Sequence, residues 1–444
     1  MSKKIMFISL GCDKNLVDSE KMSAELIEAG FSVTDESREA EVCVINTCCF
    51  IHDAKQESID TIIETGELKK KGKLKYLIIT GCLATRYAED IKEALPEVDA
   101  ILSSSASDEL IATVNSLYKG NLKDKSISKP IDREPEHKAL RLHNTLKNYA
   151  YLKIADGCSK HCTYCVIPSI KGAYRSFPME DIIKEAEDAV KKGKNELILV
   201  GQETTIYGTD LYGKKTLPKL LSELNKIEGL EMIRLMYCYP EEIDNELIQS
   251  IKTLDKVAKY IDMPIQHISD DVLKRMGRKT SGNDIRKIIR KLRREIPGIV
   301  IRTSLIAGFP GETEEDHKQL VDFLKEFKLE RVGVFTYSKE EGTPAAKMKP
   351  QILKKVKEKW RKELMLTQQG IVFEANAALT GKRFKAVVEG RLEEENVYVG
   401  RTYRDAPDID GYCFIKSERD LVLGDIIKVK IEKASGYDLI ASEV

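Results

Sequence analysis

Gly157-Cys158-Ser159-Lys160-His161-Cys162-Thr163-Tyr164-Cys165 places three thiols in the spacing C-x3-C-x2-C directly behind an apolar run. Three cysteines on one short loop suit three corners of a cubane iron–sulfur cluster, which thiolates hold. The fourth iron then lacks a protein ligand, and an open coordination position is where a small molecule binds and reacts. A structural zinc site fits less well. Zinc closes four ligands in paired spacings, and this loop offers only His161 as a further donor.

The spacing, with aromatic Tyr164 before the last cysteine, resembles the radical S-adenosylmethionine enzymes. Their cofactor chelates the open iron of a 4Fe–4S cluster, so the resemblance implies Cys158, Cys162 and Cys165 as ligands and Tyr164 as a neighbour of the cofactor.

A chain of 444 residues exceeds one core and predicts about three domains. Lys and Arg total 72 and Asp and Glu total 72, so no global field draws the chain to nucleic acid or an anionic membrane. Ten cysteines are too few for a disulfide scaffold of this length and suggest metal binding in a reducing cytoplasm. The apolar run Ile5–Leu10 is shorter than a signal-peptide core of about 7–15 residues and reads as a buried first strand. No run reaches the roughly 20 residues that span a bilayer, so no membrane association is expected.

Across residues 1–120, strand-like runs at 5–10, 42–45 and 76–80 alternate with helical stretches, the pattern of a parallel, helix-covered α/β sheet. Cys12, Cys48 and Cys82 each sit where one of these strands ends. Carboxyl ends of parallel strands share one edge, where such folds place ligands. These cysteines, 36 and 34 positions apart, are therefore expected to converge on a second, auxiliary 4Fe–4S cluster. Cys49 adjoins Cys48 and points the other way if the strand continues. Cys43, Cys238 and Cys413 lie in apolar surroundings and read as packing residues.

Residues 121–143, rich in Lys, Asp, Ser and Pro, read as a linker. From 144 to 375, six strand–helix repeats predict a partial (β/α)6 barrel of the TIM type, with chemistry at the carboxyl ends of its strands. The loop holding Cys158 follows the first of these strands. Residues 376–444 carry five short strand-like runs and predict a small antiparallel β-barrel. This segment has eleven Lys and Arg against thirteen Asp and Glu, a poor footprint for phosphates. The acidic stretch Gly400–Gly411 is expected to form a loop suited to a basic protein surface.

Dispersed cysteines, a C-x3-C-x2-C barrel and a C-terminal barrel of the TRAM type, in that order, resemble the methylthiotransferases along essentially the whole chain. Leu-Gly-Cys-Asp-Lys-Asn-Leu-Val-Asp-Ser-Glu at 10–20, Asn-Thr-Cys at 46–48 and the stretch at 400–411 look like the branch that modifies a ribosomal protein rather than the branch that modifies transfer RNA. Cys49 departs from the family pattern, where glycine is usual. The resemblance implies methylthiolation of the β-carbon of an aspartate in the small-subunit ribosomal protein numbered twelve, free or in the ribosome. It implies S-adenosylmethionine as methyl donor and radical source, a sulfur source, and an electron donor such as flavodoxin or ferredoxin. It also implies Gln202 and Glu203 near the methionyl amino group, Gln266, Arg302 and Ser304 near the carboxylate and ribose, and Gly308 near adenine. An aspartyl β-CH2 has no useful acidity and no leaving group, so radical chemistry at a low-potential cluster is what such a substrate demands.

Overall fold

Val42–Thr47 is buried along its whole length, and such a run of β-branched residues becomes the centre of a sheet covered on both faces. The computed structural model describes residues 3–133, 141–143, 148–392 and 396–444. In it this strand is β3 of a six-stranded parallel sheet. The others are β1 (Lys4–Ser9), β2 (Ser32–Val33), β4 (Tyr76–Gly81), β5 (Ala100–Leu102) and β6 (Ser126–Ile127), in the order β2-β1-β3-β4-β5-β6. Helices α1 (Asp13–Glu28), α2 (His52–Lys70) and α3 (Cys82–Arg86) leave the carboxyl ends of β1, β3 and β4.

The expected linker is only partly one. Ser126–Ile127 pairs with Ile101–Leu102, and Lys129 and Arg133 hold Asp108 at 2.7 and 2.9 Å. Arg141 is buried between Glu20 and Glu185. A two-residue edge strand carries no periodic signal, and the partners of Arg141 are distant in sequence. Residues 134–140 of that linker, and 144–147 after it, lie outside the described residues.

The central sheet runs β14-β13-β12-β11-β10-β7, all parallel and in sequence order, as in an open barrel. Its strands are β7 (Tyr149–Lys153), β10 (Glu196–Val200), β11 (Met232–Leu235), β12 (Val257–Asp262), β13 (Val300–Ala307) and β14 (Arg331–Thr336). A small antiparallel pair, β8 (Ala155–Asp156) with β9 (Arg175–Ser176), brackets the three-cysteine loop. Outward residues such as Leu152, Leu199, Leu235 and Ile261 join the helices in the main core, while Tyr149, Ile198, Tyr260 and Val300 pack together on the opposite face. Each fully buried aliphatic side chain contributes about 1.5–3 kcal/mol.

Strands β15 (Arg383–Arg391), β16 (Val397–Thr402), β17 (Cys413–Lys416), β18 (Ile426–Ser435) and β19 (Asp438–Glu443) close a barrel in the order β15-β16-β17-β19-β18. The barrel is mixed rather than wholly antiparallel, because β17 and β19 pair in parallel. The acidic stretch also departs from expectation, since most of its charge turns inward. Arg401 bonds Glu196 of β10 (2.8 Å) and Glu389 (2.7 Å), and Asp405 pairs with Arg331 of β14. Asp410 accepts from the Tyr260 hydroxyl at 2.7 Å, and the exposed Asp408 from Tyr149 at 2.6 Å. Ala406 and the partly buried Tyr403 pack among the inner-face residues of the central sheet, so much of this stretch fills that side, while Asp408 and Ile409 stay exposed.

Candidate active site

Three cysteines meet at the carboxyl edge of the first sheet because the backbone beside them is bare. Gly11 (φ +86°) precedes Cys12, and a side chain there would put its Cβ 2.4 Å from the Cβ of Cys48. Gly81 (φ +91°) precedes Cys82, and its Cβ would stand 2.3 Å from Asn46 Oδ1 and 2.6 Å from the Thr47 carbonyl. Only glycine allows both the left-handed turn and the close approach. Asn46 donates to the carbonyl of Asn15 at 2.9 Å, and Asn15 donates to the carbonyls of Leu10 and Thr47 at 3.0 and 3.1 Å. These bonds tie the ends of β1 and β3 to α1, and the Thr47 hydroxyl, donating to the Thr80 carbonyl at 2.5 Å, adds the end of β4. Cys48 and Cys82 are buried, Cys12 is half-buried, and each of the first two senses the charge of Cys12. Cys49 is fully buried and its thiol lies beside Arg86, whose guanidinium pairs with Glu340 at 3.3 Å.

The second trio is shaped by its own backbone. Gly157 (φ +75°) is pressed so close to the bend before β9 that a Cβ would lie 2.0 Å from the Ala173 carbonyl oxygen. The amides of Lys160 and Ile167 donate to the sulfurs of Cys158 (3.5 Å) and Cys165 (3.4 Å), and Arg278 Nη1 lies 4.0 Å from the sulfur of Cys162. His161 is exposed, away from a closed tetrahedral arrangement. Among the described residues no three such side chains close on the single point that one metal ion requires. Thiolates that each hold a different iron of a cubane stand wider apart.

Burial pushes the Cys158 thiol up to about 11 and the Cys165 thiol to about 12, and raises Cys48 and Cys82 as well. A thiolate in such surroundings needs positive charge beside it, which an iron cluster provides. Three thiols at each place, with two main-chain amides and a guanidinium turned toward the sulfurs of the second trio, make donor sets that fit 4Fe–4S groups. The two loops also adjoin: Cys82, Leu83 and Cys49 pack in one apolar cluster with Val166 and Ile170, from the segment just after Cys165. Lys171, at the end of that segment, bonds Asp18 at 3.2 Å and lies near Cys82.

Around the cluster loop, Gln202 donates to Asp156 at 3.1 Å and leaves its Oε1 without a hydrogen bond. Glu203 is fully buried, its Oε2 also lacks a hydrogen bond, and the nearest cation is Lys160 of the loop at 3.6 Å. Burial lifts this carboxyl to about 7. Two buried acceptors beside the three-cysteine loop would suit an ammonium donor such as the methionyl amino group. Gln266 (φ +69°) bridges to β13 by donating to the Ser304 carbonyl at 2.9 Å and accepting from Ile306 at 2.8 Å. Arg302 is held by Asp262 at 2.6 Å. Gly308 lies beneath the stem of Lys357, and its amide donates to Glu312 at 2.7 Å. Tyr164 packs edge-on to Phe309, and burial raises its phenol. Cys43, Cys238 and Cys413 are buried in three separate apolar cores.

Sequence reading missed Arg278, Lys171, Asp262 and Tyr237. A lone arginine in Met276-Gly277-Arg278 carries no motif, and its place beside Cys162 comes from a long-range bond, the Thr163 amide donating to the Met276 carbonyl at 2.9 Å.

The model of the Radical SAM superfamily matches residues 152–324, that of the uncharacterized protein family UPF0004 residues 4–103, and that of the TRAM domain residues 380–444. Among solved structures, the radical S-adenosylmethionine methyltransferase TsrM from Kitasatospora setae, with cobalamin and a 4Fe–4S cluster bound, aligns with a TM-score of 0.57. It is 15% identical, over 78% of this chain and 77% of the other. The cobalamin-dependent S-adenosylmethionine radical enzyme OxsB aligns at 0.53 with 15% identity, over 83% and 56%. At that identity these likenesses speak to fold alone. A ribosomal protein uS12 methylthiotransferase RimO of Lachnoclostridium phytofermentans is 54% identical over 439 residues, 99% of each chain. The protein of the same name from Acetivibrio thermocellus is 49% identical, over 100% of this chain and 99% of the other. With two cysteine trios on two parallel sheets and relatives this similar from end to end, the chain belongs to the RimO family of radical S-adenosylmethionine methylthiotransferases.

Proposed function

We propose that this chain transfers a methylthio group to the β-carbon of an aspartate of ribosomal protein uS12, with one 4Fe–4S cluster on Cys12, Cys48 and Cys82 and another on Cys158, Cys162 and Cys165. The observation that supports the reading is the packing of Cys82 with Val166 and Ile170, from the segment just after Cys165, in one apolar cluster. Bound there, the clusters supply the low-potential electron that cleaves S-adenosylmethionine and the site from which sulfur is delivered.

The chain's own groups then have separate tasks. Amides on Cys158 and Cys165 and the guanidinium near Cys162 stabilise charge on the sulfurs. Gln202 and Glu203 accept from the cofactor's ammonium. Gln266, which bridges to β13, and Arg302 and Ser304 within that strand would meet its carboxylate and ribose, and Tyr164 and Gly308 would border it. Burial of Cys48, Cys82, Cys158 and Cys162 limits the access of water to both sites. An electron donor of the flavodoxin or ferredoxin kind, a sulfur source and a cytoplasmic location accompany this reading. No helix of the described residues is long and apolar enough to cross a membrane.

Anaerobic reconstitution followed by mass spectrometry of uS12 tests the proposal. The intact chain is expected to bind about eight irons, four per cubane, and to add the methylthio group to uS12 and not to undermodified transfer RNA. Cys158→Ala should abolish 5′-deoxyadenosine formation, whereas Cys12→Ala should retain deoxyadenosine formation without methylthiolation. Methylthiolated uS12 from the Cys12 variant would overturn the division of labour.

A further inference from the structure

Tyr237, just past the end of β11, is a non-glycine residue in the left-handed region, φ +59°. Such a residue costs about 1–3 kcal/mol and persists where its surroundings over-determine it, most often at functional sites. Here it is fixed from both sides of the site. Its amide donates to Asp262 Oδ2 at 3.0 Å, while Asp262 Oδ1 holds Arg302 at 2.6 Å. Its carbonyl accepts from the amide of Thr204, next to Glu203, at 3.2 Å. Thus the backbone of Tyr237 is built into the two motifs assigned to S-adenosylmethionine.

The side chain belongs to the other half. The phenol donates to the carboxylate of Asp13, 3.2 Å from each oxygen, and the ammonium of Lys14 sits 3.6 Å over the ring. Lys14 and Asp13 are themselves paired at 2.8 Å. These two residues open α1, whose N-cap is Cys12. One residue therefore joins the helix that carries an auxiliary thiol to the strand ends that carry the cofactor-binding groups.

We propose that Tyr237 is a positioning residue that fixes the auxiliary cluster site relative to the radical-generating site. This rests on the two-cluster reading given above. Methylthiolation needs the radical carbon and the sulfur to meet within van der Waals reach, and misplacement by about 1 Å costs on the order of 100-fold in rate. Generating the radical needs only the barrel site. Loosening Tyr237 therefore uncouples the two events instead of stopping both.

The test uses the full chain with Tyr237→Phe, Tyr237→Ala and Tyr237→Gly. The glycine variant relieves the backbone while deleting the ring, which separates strain from contact. After anaerobic reconstitution, iron content is expected within about twofold of the parent chain. Deoxyadenosine formed per methylthiolated product should rise at least tenfold for the alanine and glycine variants and less for phenylalanine, which keeps the ammonium–ring contact. Pulsed EPR should show a broadened distance distribution between the reduced clusters. In the cluster-free chain, hydrogen exchange of residues 13–28 should quicken at least tenfold in Tyr237→Ala. If product and deoxyadenosine fall in parallel, or the glycine variant stays coupled, or exchange in α1 is unchanged, the assignment is overturned. Were the parent chain inactive on uS12, the proposed substrate would fail, while exchange and cluster distance would still decide the role of Tyr237.

Discussion

Glu203 is buried where the acid form is favoured, yet its proposed task, accepting from an ammonium, needs the anion. With its carboxyl lifted to about 7 by burial, affinity for S-adenosylmethionine should fall as pH drops through that value, and calorimetric titration of the cluster-loaded chain between pH 6 and 8.5 would show it. Glu203→Gln should bind at least tenfold more weakly and lose that pH dependence. Folding runs the other way. A carboxyl raised in the folded state stabilises fully below its unfolded value, and the benefit is lost as pH rises through about 7. The cluster-free glutamine variant should therefore gain stability above pH 7, by about 3 kcal/mol at most, in urea denaturation at pH 8.5. Glu203 was legible in the sequence as a polar residue at a strand end. Tyr237 was not, because its left-handed backbone is imposed by Asp262 and Thr204 and by no local turn signal.

At the scale of elements, the auxiliary site depends on three parallel strands ending level with one another. The alternation of strand and helix and the Gly-Cys pairs made that edge readable before any coordinates. The reason for the glycines was not readable, since it lies in the approach of neighbouring strand ends. Gly11→Ala and Gly81→Ala would force Cβ atoms to 2.4 Å from Cys48 and 2.3 Å from Asn46. Each is expected to lower iron content by about half, one of two cubanes, while deoxyadenosine formation continues. Iron and sulfide analysis alongside the cleavage assay checks this. Where periodicity was absent, reading failed: β6 is two residues long, and the parallel pairing of β17 with β19 follows from barrel closure rather than from any residue in either strand.

Across the whole molecule, the first sheet is tied to the central one near both of its edges. Asp18 of α1 meets Lys153 of β7 at 2.8 Å, and Arg86 meets Glu340, beyond β14, at 3.3 Å. The C-terminal barrel is tied to the opposite region through Arg401 and Asp405. No local pattern could announce these bonds, because Arg401 and Glu196 are 205 positions apart. Composition even misled, since acidic residues that look solvated are paired inside. Arg401→Ala removes a cation that is 1% exposed and strips one partner each from Glu196 and Glu389. A loss of about 3–5 kcal/mol is expected for breaking such a buried pair. Urea denaturation followed by the fluorescence of Trp360, in the central core, should register it even though the substitution lies in another domain.

That long-range bond also orders the birth of the protein. Glu196 and Arg234 leave the ribosome well before Arg401 is synthesised, so a nascent central sheet must wait with a carboxylate short of one partner until translation has nearly reached the last strands. Messages cut short before that codon would yield chains with an unsealed floor, natural prey for proteases.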